Sequence, residues 1–220
     1  MSHVRARLGI VLSGRRLLAP LVLVAFAVIG VYAYRPNDVQ GSFAVTAVLA
    51  AMFCAWLVTA TEREVPPSAD AILTVAAGGP THAWRGRLLL VAVFTLGIMV
   101  VFLAWPTATD AFDRTPGPGD LLDAALAHLA CGAIGGALGL VLAPPMRAAT
   151  ALAGTVGLVV ASIALVGPLG VFAGPGAVAS ALSEAPNDQV TLALAEAAAI
   201  TLAEAALLAL TARRLVRWRG

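Results

Sequence analysis

The chain has 220 residues, of which 60% are apolar and only 12% charged, and its mean hydropathy is +0.91. Soluble domains carry about 25% charged residues, so a water-soluble globular fold is excluded and an integral membrane protein is implied. The net charge of +2 is small, but its distribution is informative: all fourteen basic residues are Arg, with no Lys anywhere.

The chain begins with Met1–Arg16, which carries Arg5, Arg7, Arg15 and Arg16. Val4, Leu8, Val11 and Leu12 recur at helical spacing, which predicts an amphipathic helix lying in the membrane interface. The first apolar run, 17–34, is about long enough to span a bilayer. Ala25-Phe26-Ala27 lies inside this run, not after it, so the run is expected to be a retained span rather than a cleaved signal. Further spans are expected at about 43–60, 88–105, 121–142, 148–172 and 190–210. The expected fold is therefore all-α, a polytopic bundle of six transmembrane helices in one domain covering residues 1–220.

Cys54 and Cys131 fall inside apolar runs, where they are expected to act as small buried residues and not as a disulfide or a metal pair. No Cys/His spacing resembles a metal site.

The positive-inside rule orients the bundle. With both termini in the cytoplasm, twelve of the fourteen arginines fall inside, and only Arg35 and Arg114 lie outside. The outer segments then hold Asp38, Asp110, Asp113, Asp120, Asp123, Glu184 and Asp188. Trp105 closes the third span at one interface, while Trp84 and Trp218 stand beside Arg at the other, as belt residues do. The basic residues follow the membrane face and form no nucleic-acid surface.

Between the second and third spans lies a distinctive cytoplasmic stretch, Thr61–Leu90. It opens with Glu62-Arg63-Glu64 and Pro66-Pro67. A short helix is expected over 68–77, with Ser68 as N-cap and Asp70 in its first turn. Gly78-Gly79-Pro80 breaks it, and Arg85 and Arg87 precede the next span. Ile72, Leu73 and Val75 would be shown to water unless something covers them.

This layout resembles the membrane subunit of ABC-2 type transporters, six-helix permeases of the cell membrane that pair with separate ATPases. The most specific residues are Glu62-Arg63-Glu64, then Asp70-Ala71-Ile72-Leu73-Thr74, then Trp84-Arg85-Gly86-Arg87-Leu88-Leu89. Family members tend to show a Gly-Thr before the short helix, and here Val65-Pro66-Pro67-Ser68 stands in its place. The resemblance implies a coupling helix that docks on an ABC ATPase through Glu62, Glu64, Asp70, Ile72, Leu73 and Val75. It also implies an ATP-driven exporter whose pathway forms with a second permease subunit, identical or related. ATP and Mg would be bound by the partner, because a P-loop requires a Lys and this chain has none. No catalytic residue and no cofactor is expected on this chain. After the fifth span, 170–188 either forms short outer helices that dip back toward the membrane, as the resemblance implies, or is a simple surface loop.

Polar groups within the spans are few. His128, Glu196 and Glu204 each need a partner, a cavity or a proton, since a charge at mid-membrane costs on the order of 3 kcal/mol. His128 and Glu196 lie at matching depth, so they are expected to pair, either as a packing hydrogen bond or as a polar spot on a pathway or gate. Gly132/Gly136 and Gly135/Gly139 are small-xxx-small pairs that permit close helix approach. An alternative function is a secondary transporter or channel with an intramembrane Glu/His relay, although the two halves show no matching broken helices. An intramembrane enzyme or an assembly factor is a third class. Ser162 and His128 are the in-span candidates for a serine hydrolase, and neither lies in a recognisable motif.

Overall fold

In hydrocarbon a backbone must satisfy its own hydrogen bonds, so long apolar runs become helices and stop where Pro and Gly intervene. The computed structural model describes residues 9, 18–33, 37–143, 157, 174–184 and 189–217. Among these residues it is helical: α1 (Leu18–Tyr32), α2 (Val39–Glu64), α3 (Pro67–Ala76), α4 (Pro80–Ala108), α5 (Pro118–Leu142), α6 (Pro175–Glu184) and α7 (Val190–Arg217). Four of them, α2, α4, α5 and α7, are long and apolar enough to cross a membrane, while α1 is apolar but 15 residues long. The chain is a multi-pass helical membrane protein. The expected interfacial helix over 1–16 and the fifth span over 148–172 lie outside the described residues.

Local chemistry sets the helix ends and shifts several of them from the sequence expectation. Asp38 caps α2 by accepting the Gly41 amide, so this helix starts four residues before the expected apolar run. It stops at Val65 because a residue before proline is driven to extended backbone, and Val65 has φ −88° and ψ 110°. Pro67 then occupies the first position of α3, where its missing N–H costs nothing. Pro66 holds the N-cap position with no side-chain cap, so Ser68 lies inside the helix and is not its cap. Gly78 (φ 85°) and Gly79 (φ 110°) turn the chain through the left-handed region that disfavours a side chain. Pro80 restarts it, and α4 begins eight residues before the expected span, carrying Trp84, Arg85 and Arg87 on its first two turns.

α2 and α5 form the centre of the bundle. The apolar window of α2 is 78% buried and that of α5 61%, against 22% for α4 and 28% for α7. Glycines make this possible. A Cβ on Gly135 would collide with the Ala51 carbonyl, and one on Gly139 would stand 2.7 Å from the Ala55 carbonyl oxygen. The neighbouring stripe of α5 faces α4, where a Cβ on Gly132 or Gly136 would strike the Thr95 or Val91 side chain. Both small-xxx-small pairs thus serve packing within the subunit. Cys54 and Cys131 are free and fully buried in this core.

α6 is a helix packed into the bundle against α2, α5 and α7, not a surface loop. Val178 and Leu182 are buried with Val39, Phe43 and Leu194. The Gly174 carbonyl at its start accepts a hydrogen bond from Thr201 at 3.4 Å. Thr201 lies roughly 16 Å along α7 from Val190, at ~1.5 Å per residue, so α6 starts beside the middle of α7 and not at its end.

The ends of the helices differ in charge. One end, the basic end, gathers Arg63, Arg85, Arg87, Arg213 and Arg214. The other, the acidic end, gathers Asp38, Asp110, Asp113, Asp120 and Asp123.

Candidate functional site

At the basic end, α3 crosses between the end of α2 and the start of α4. Arg87 fixes it there. Its Nη2 donates to Asp70 Oδ2 at 2.8 Å, and its Nε lies 3.4 Å from Glu62 Oε2. One guanidinium therefore ties the C-terminal turn of α2, the first turn of α3 and the second turn of α4. The planar fork of Arg suits such a bridge better than the point charge of Lys. The side chains of Arg87 and Glu62 are only 10% and 12% exposed, so the attraction is less screened than at an open surface.

With Asp70 held inward, the opposite face of α3 points away from the protein. Ile72 is 70% and Val75 80% exposed, while Leu73 is half-buried. Of the three apolar residues singled out in the sequence, Ile72 and Val75 stand out and Leu73 leans inward. Glu62 and Glu64 are partly buried and belong to the scaffold of the corner as much as to its surface. Trp84 also departs from expectation. It is 8% exposed and packs with Val58, Val91, Leu140 and Ala212, instead of forming an interfacial belt. Trp105 is 50% exposed, as a belt residue is.

The second polar feature is His128, which is fully buried on α5. The expected pair with Glu196 does not form. His128 Nδ1 donates to the Ala124 carbonyl at 2.7 Å, and its Nε2 lies 3.1 Å from Thr46 Oγ1 on α2. Glu196 sits on an exposed face of α7. Depth along a helix says nothing of angle around its axis, and His128 turns toward α2. Because the carbonyl can only accept, Nδ1 carries the hydrogen. The neutral ring therefore accepts the Thr46 hydroxyl at Nε2. That hydroxyl has competing acceptors in the Ser42 and Phe43 carbonyls at 3.0 and 3.2 Å. Phe102 and Phe43 flank the imidazole at 5.9 and 6.4 Å between ring centroids. Thr46 is the member of this centre that the sequence reading missed; a lone Thr in an apolar run gives no periodic signal.

Glu204 is half-buried on α7, where its carboxylate comes near the Gly174 turn that opens α6. His128, Glu196 and Glu204 are thus three separate environments and not one relay. Asp123, at the acidic end, accepts the Thr191 hydroxyl at 3.2 Å and joins α5 to α7. Among the described residues no group of three His, Cys, Asp or Glu side chains is placed to hold a metal ion.

The acidic end is closed by loops. The Asn37 amide and side chain both donate to the Ala111 carbonyl at 3.2 and 3.1 Å, and the Asp113 amide donates to the Asn37 carbonyl at 2.9 Å. Phe112 then lies against Phe43 and Tyr32, with centroids 5.1 and 5.7 Å apart. Beside it, Arg114 makes a two-pronged pair with Asp120 at 2.6 and 2.9 Å. That bond holds the Asp120 carboxyl below its ordinary value, helped by the Gly117 amide.

No family model, no curated protein and no solved structure matches this chain.

Proposed function

We propose that this chain is the membrane-spanning permease subunit of an ATP-driven ABC-2 type exporter, with six spans and both termini in the cytoplasm. One observation carries the reading: α3 is a ten-residue helix held rigidly across the basic end by Arg87, with Ile72 and Val75 projecting from it. A helix that merely closed a loop has no reason to be braced against two other helices while showing apolar side chains to water. A helix that transmits motion needs both properties, a stiff mount and an unsatisfied apolar face. Burying one such side chain in a partner groove is worth roughly 1.5–3 kcal/mol.

In this reading the basic end faces the cytoplasm of the cell membrane. ABC ATPase subunits bind ATP and Mg there and press on α3. A second permease subunit completes the pathway. Glu196 supports a protein or water neighbour for α7, because an exposed carboxylate at that depth is costly against lipid. α6 is then a re-entrant helix, acceptable at membrane depth because protein surrounds it. The chain itself catalyses nothing. The Glu/His relay is the weaker alternative, since His128 is satisfied by Thr46 and Ala124 far from either glutamate's environment.

The test is co-purification of the full chain with an ABC ATPase from the same cells, followed by hydrolysis assays. Ile72→Asp with Val75→Asp should abolish capture of the ATPase, or uncouple hydrolysis from transport, while membrane insertion is retained. A double variant that binds and couples like wild type would overturn the proposal.

A further inference from the structure

A cavity of about 70 Å³ opens at the basic end between α3, the first turns of α4 and the last turns of α7. Asp70, Thr74, Trp84, Arg87 and Arg213 line it. A space of that size holds several waters, at about 10–15 Å³ of such volume per water, and so admits a tetrahedral oxyanion. The charges around it are not equivalent. Asp70 and Arg87 are bonded to one another, and Arg87 also faces Glu62. Arg213 is half-buried and, among the described residues, makes no ion pair. Among the described residues Arg213 is thus a guanidinium without a carboxylate partner, beside a threonine and a buried indole in the cavity wall.

The surroundings say what would reach it. Leu88 and Leu89 follow Arg87 and are exposed on α4, and Leu207 and Leu210 precede Arg213 and are exposed on α7. The cavity therefore sits at the end of α4 and α7 where arginines give way to exposed leucines along the same helices, as expected where headgroups meet acyl chains. Five arginines against three carboxylates at this end give the rim a positive sign, and basic pockets between membrane helices favour anionic lipid headgroups.

We propose that this cavity binds the phosphate of an anionic phospholipid in the leaflet at the basic end, with Arg213 as its principal ligand and the Thr74 hydroxyl as a donor. Guanidinium binds phosphate oxygens in two-pronged fashion, and Trp84 forms the apolar floor. The site does not depend on a partner ATPase, so the proposal stands or falls apart from the permease reading.

Native mass spectrometry of the full chain in detergent tests it, with phosphatidylglycerol, phosphatidylcholine and inorganic phosphate added in separate arms. The wild type should retain phosphatidylglycerol in preference to phosphatidylcholine. Arg213→Ala should weaken retention about five-fold, the worth of one arginine near a membrane surface, while Arg214→Ala, which removes the same charge from an exposed neighbour, should change it less than two-fold. Thr74→Leu keeps every charge but fills the cavity, and should also lose retention; it serves if Arg213→Ala fails to fold. Equal losses at Arg213 and Arg214, or no loss in either Arg213→Ala or Thr74→Leu, would reduce the effect to diffuse charge and overturn the site. Displacement of the lipid by millimolar inorganic phosphate would show a soluble anion as the occupant and overturn the lipid assignment.

Discussion

The acidic and basic ends of the bundle are built on opposite principles. At the acidic end, backbone groups of the two loops satisfy each other through Asn37, Ala111 and Asp113, and Phe112 plugs the space over Phe43 and Tyr32. Behind that plug, His128 and Thr46 spend their polar groups internally. At the basic end, side-chain charges hold α3 in place, and the apolar face of that helix is left uncovered. Loops whose backbone groups satisfy each other, as the described ones at this end do, have little left with which to bind. An end braced by ion pairs around exposed apolar side chains has its binding capacity in reserve. Function is therefore expected at the basic end, and stability at the acidic one.

Substitutions can break or sharpen that contrast. The largest effect is expected at His128. His128→Ala removes a fully buried ring from the aromatic nest and should cost about 2–4 kcal/mol, read as a lowered thermal midpoint in detergent. His128→Leu refills the volume, and the Thr46 hydroxyl keeps the Ser42 carbonyl as acceptor, so most of the loss should be regained. A leucine variant that is stable but inactive in transport would place function at the closed end and break the comparison. Arg87→Ala comes next, because it removes the guanidinium that joins Glu62 and Asp70. About 1–3 kcal/mol of stability should go, together with faster hydrogen exchange in α3, and Arg87→Lys should restore only part of each.

A smaller effect is expected from acid. Arg114 depresses the Asp120 carboxyl in the folded chain. The contribution of this pair is therefore fully present above the unfolded carboxyl value near 3.9 and is lost as pH falls through the lower folded value. Stability should be flat in this respect between pH 5 and 7, as roughly expected from that reference value, and the acid loss should shrink in Asp120→Asn. Smallest of all should be Ile72→Asp and Val75→Asp. Both sites are already exposed, so unfolding free energy should move by less than about 0.5 kcal/mol. A large destabilisation there would mean that α3 is part of the core and not a free face.

Much of this architecture was legible in the chain, because hydropathy and punctuation are local. The spans over α2, α4, α5 and α7, the Gly78-Gly79-Pro80 break and the short helix before it all follow from runs of apolar residues and their breakers. Helix ends were displaced wherever a proline or a polar first turn extended a helix beyond its apolar part, as at Pro80 and Asp38. Side-chain pairing was less legible. His128 finds Thr46 across 82 positions of sequence, and no spacing rule encodes the angle at which two helices face each other. The orientation of Leu73 and the burial of Trp84 were missed for the same reason. The first depends on where Arg87 holds α3 and the second on how α2, α5 and α7 meet around Trp84, neither of which a one-dimensional pattern records.

The glycine contacts of α5 have a mechanical consequence. Backbone against backbone, as at Gly135 with Ala51 and Gly139 with Ala55, leaves no side-chain layer to act as a lubricant. Sliding one helix past the other would drive a Cα into a carbonyl, so α2 and α5 are expected to move as one keel. The α4 side of α5 meets side chains instead, Thr95 and Val91, which can change rotamer and yield. In a conformational cycle the contact between α4 and α5 is then expected to yield before the contact between α2 and α5 does. Spin labels on α2 and α5 should keep a constant separation through such a cycle, while a label on α4 changes its distance to both.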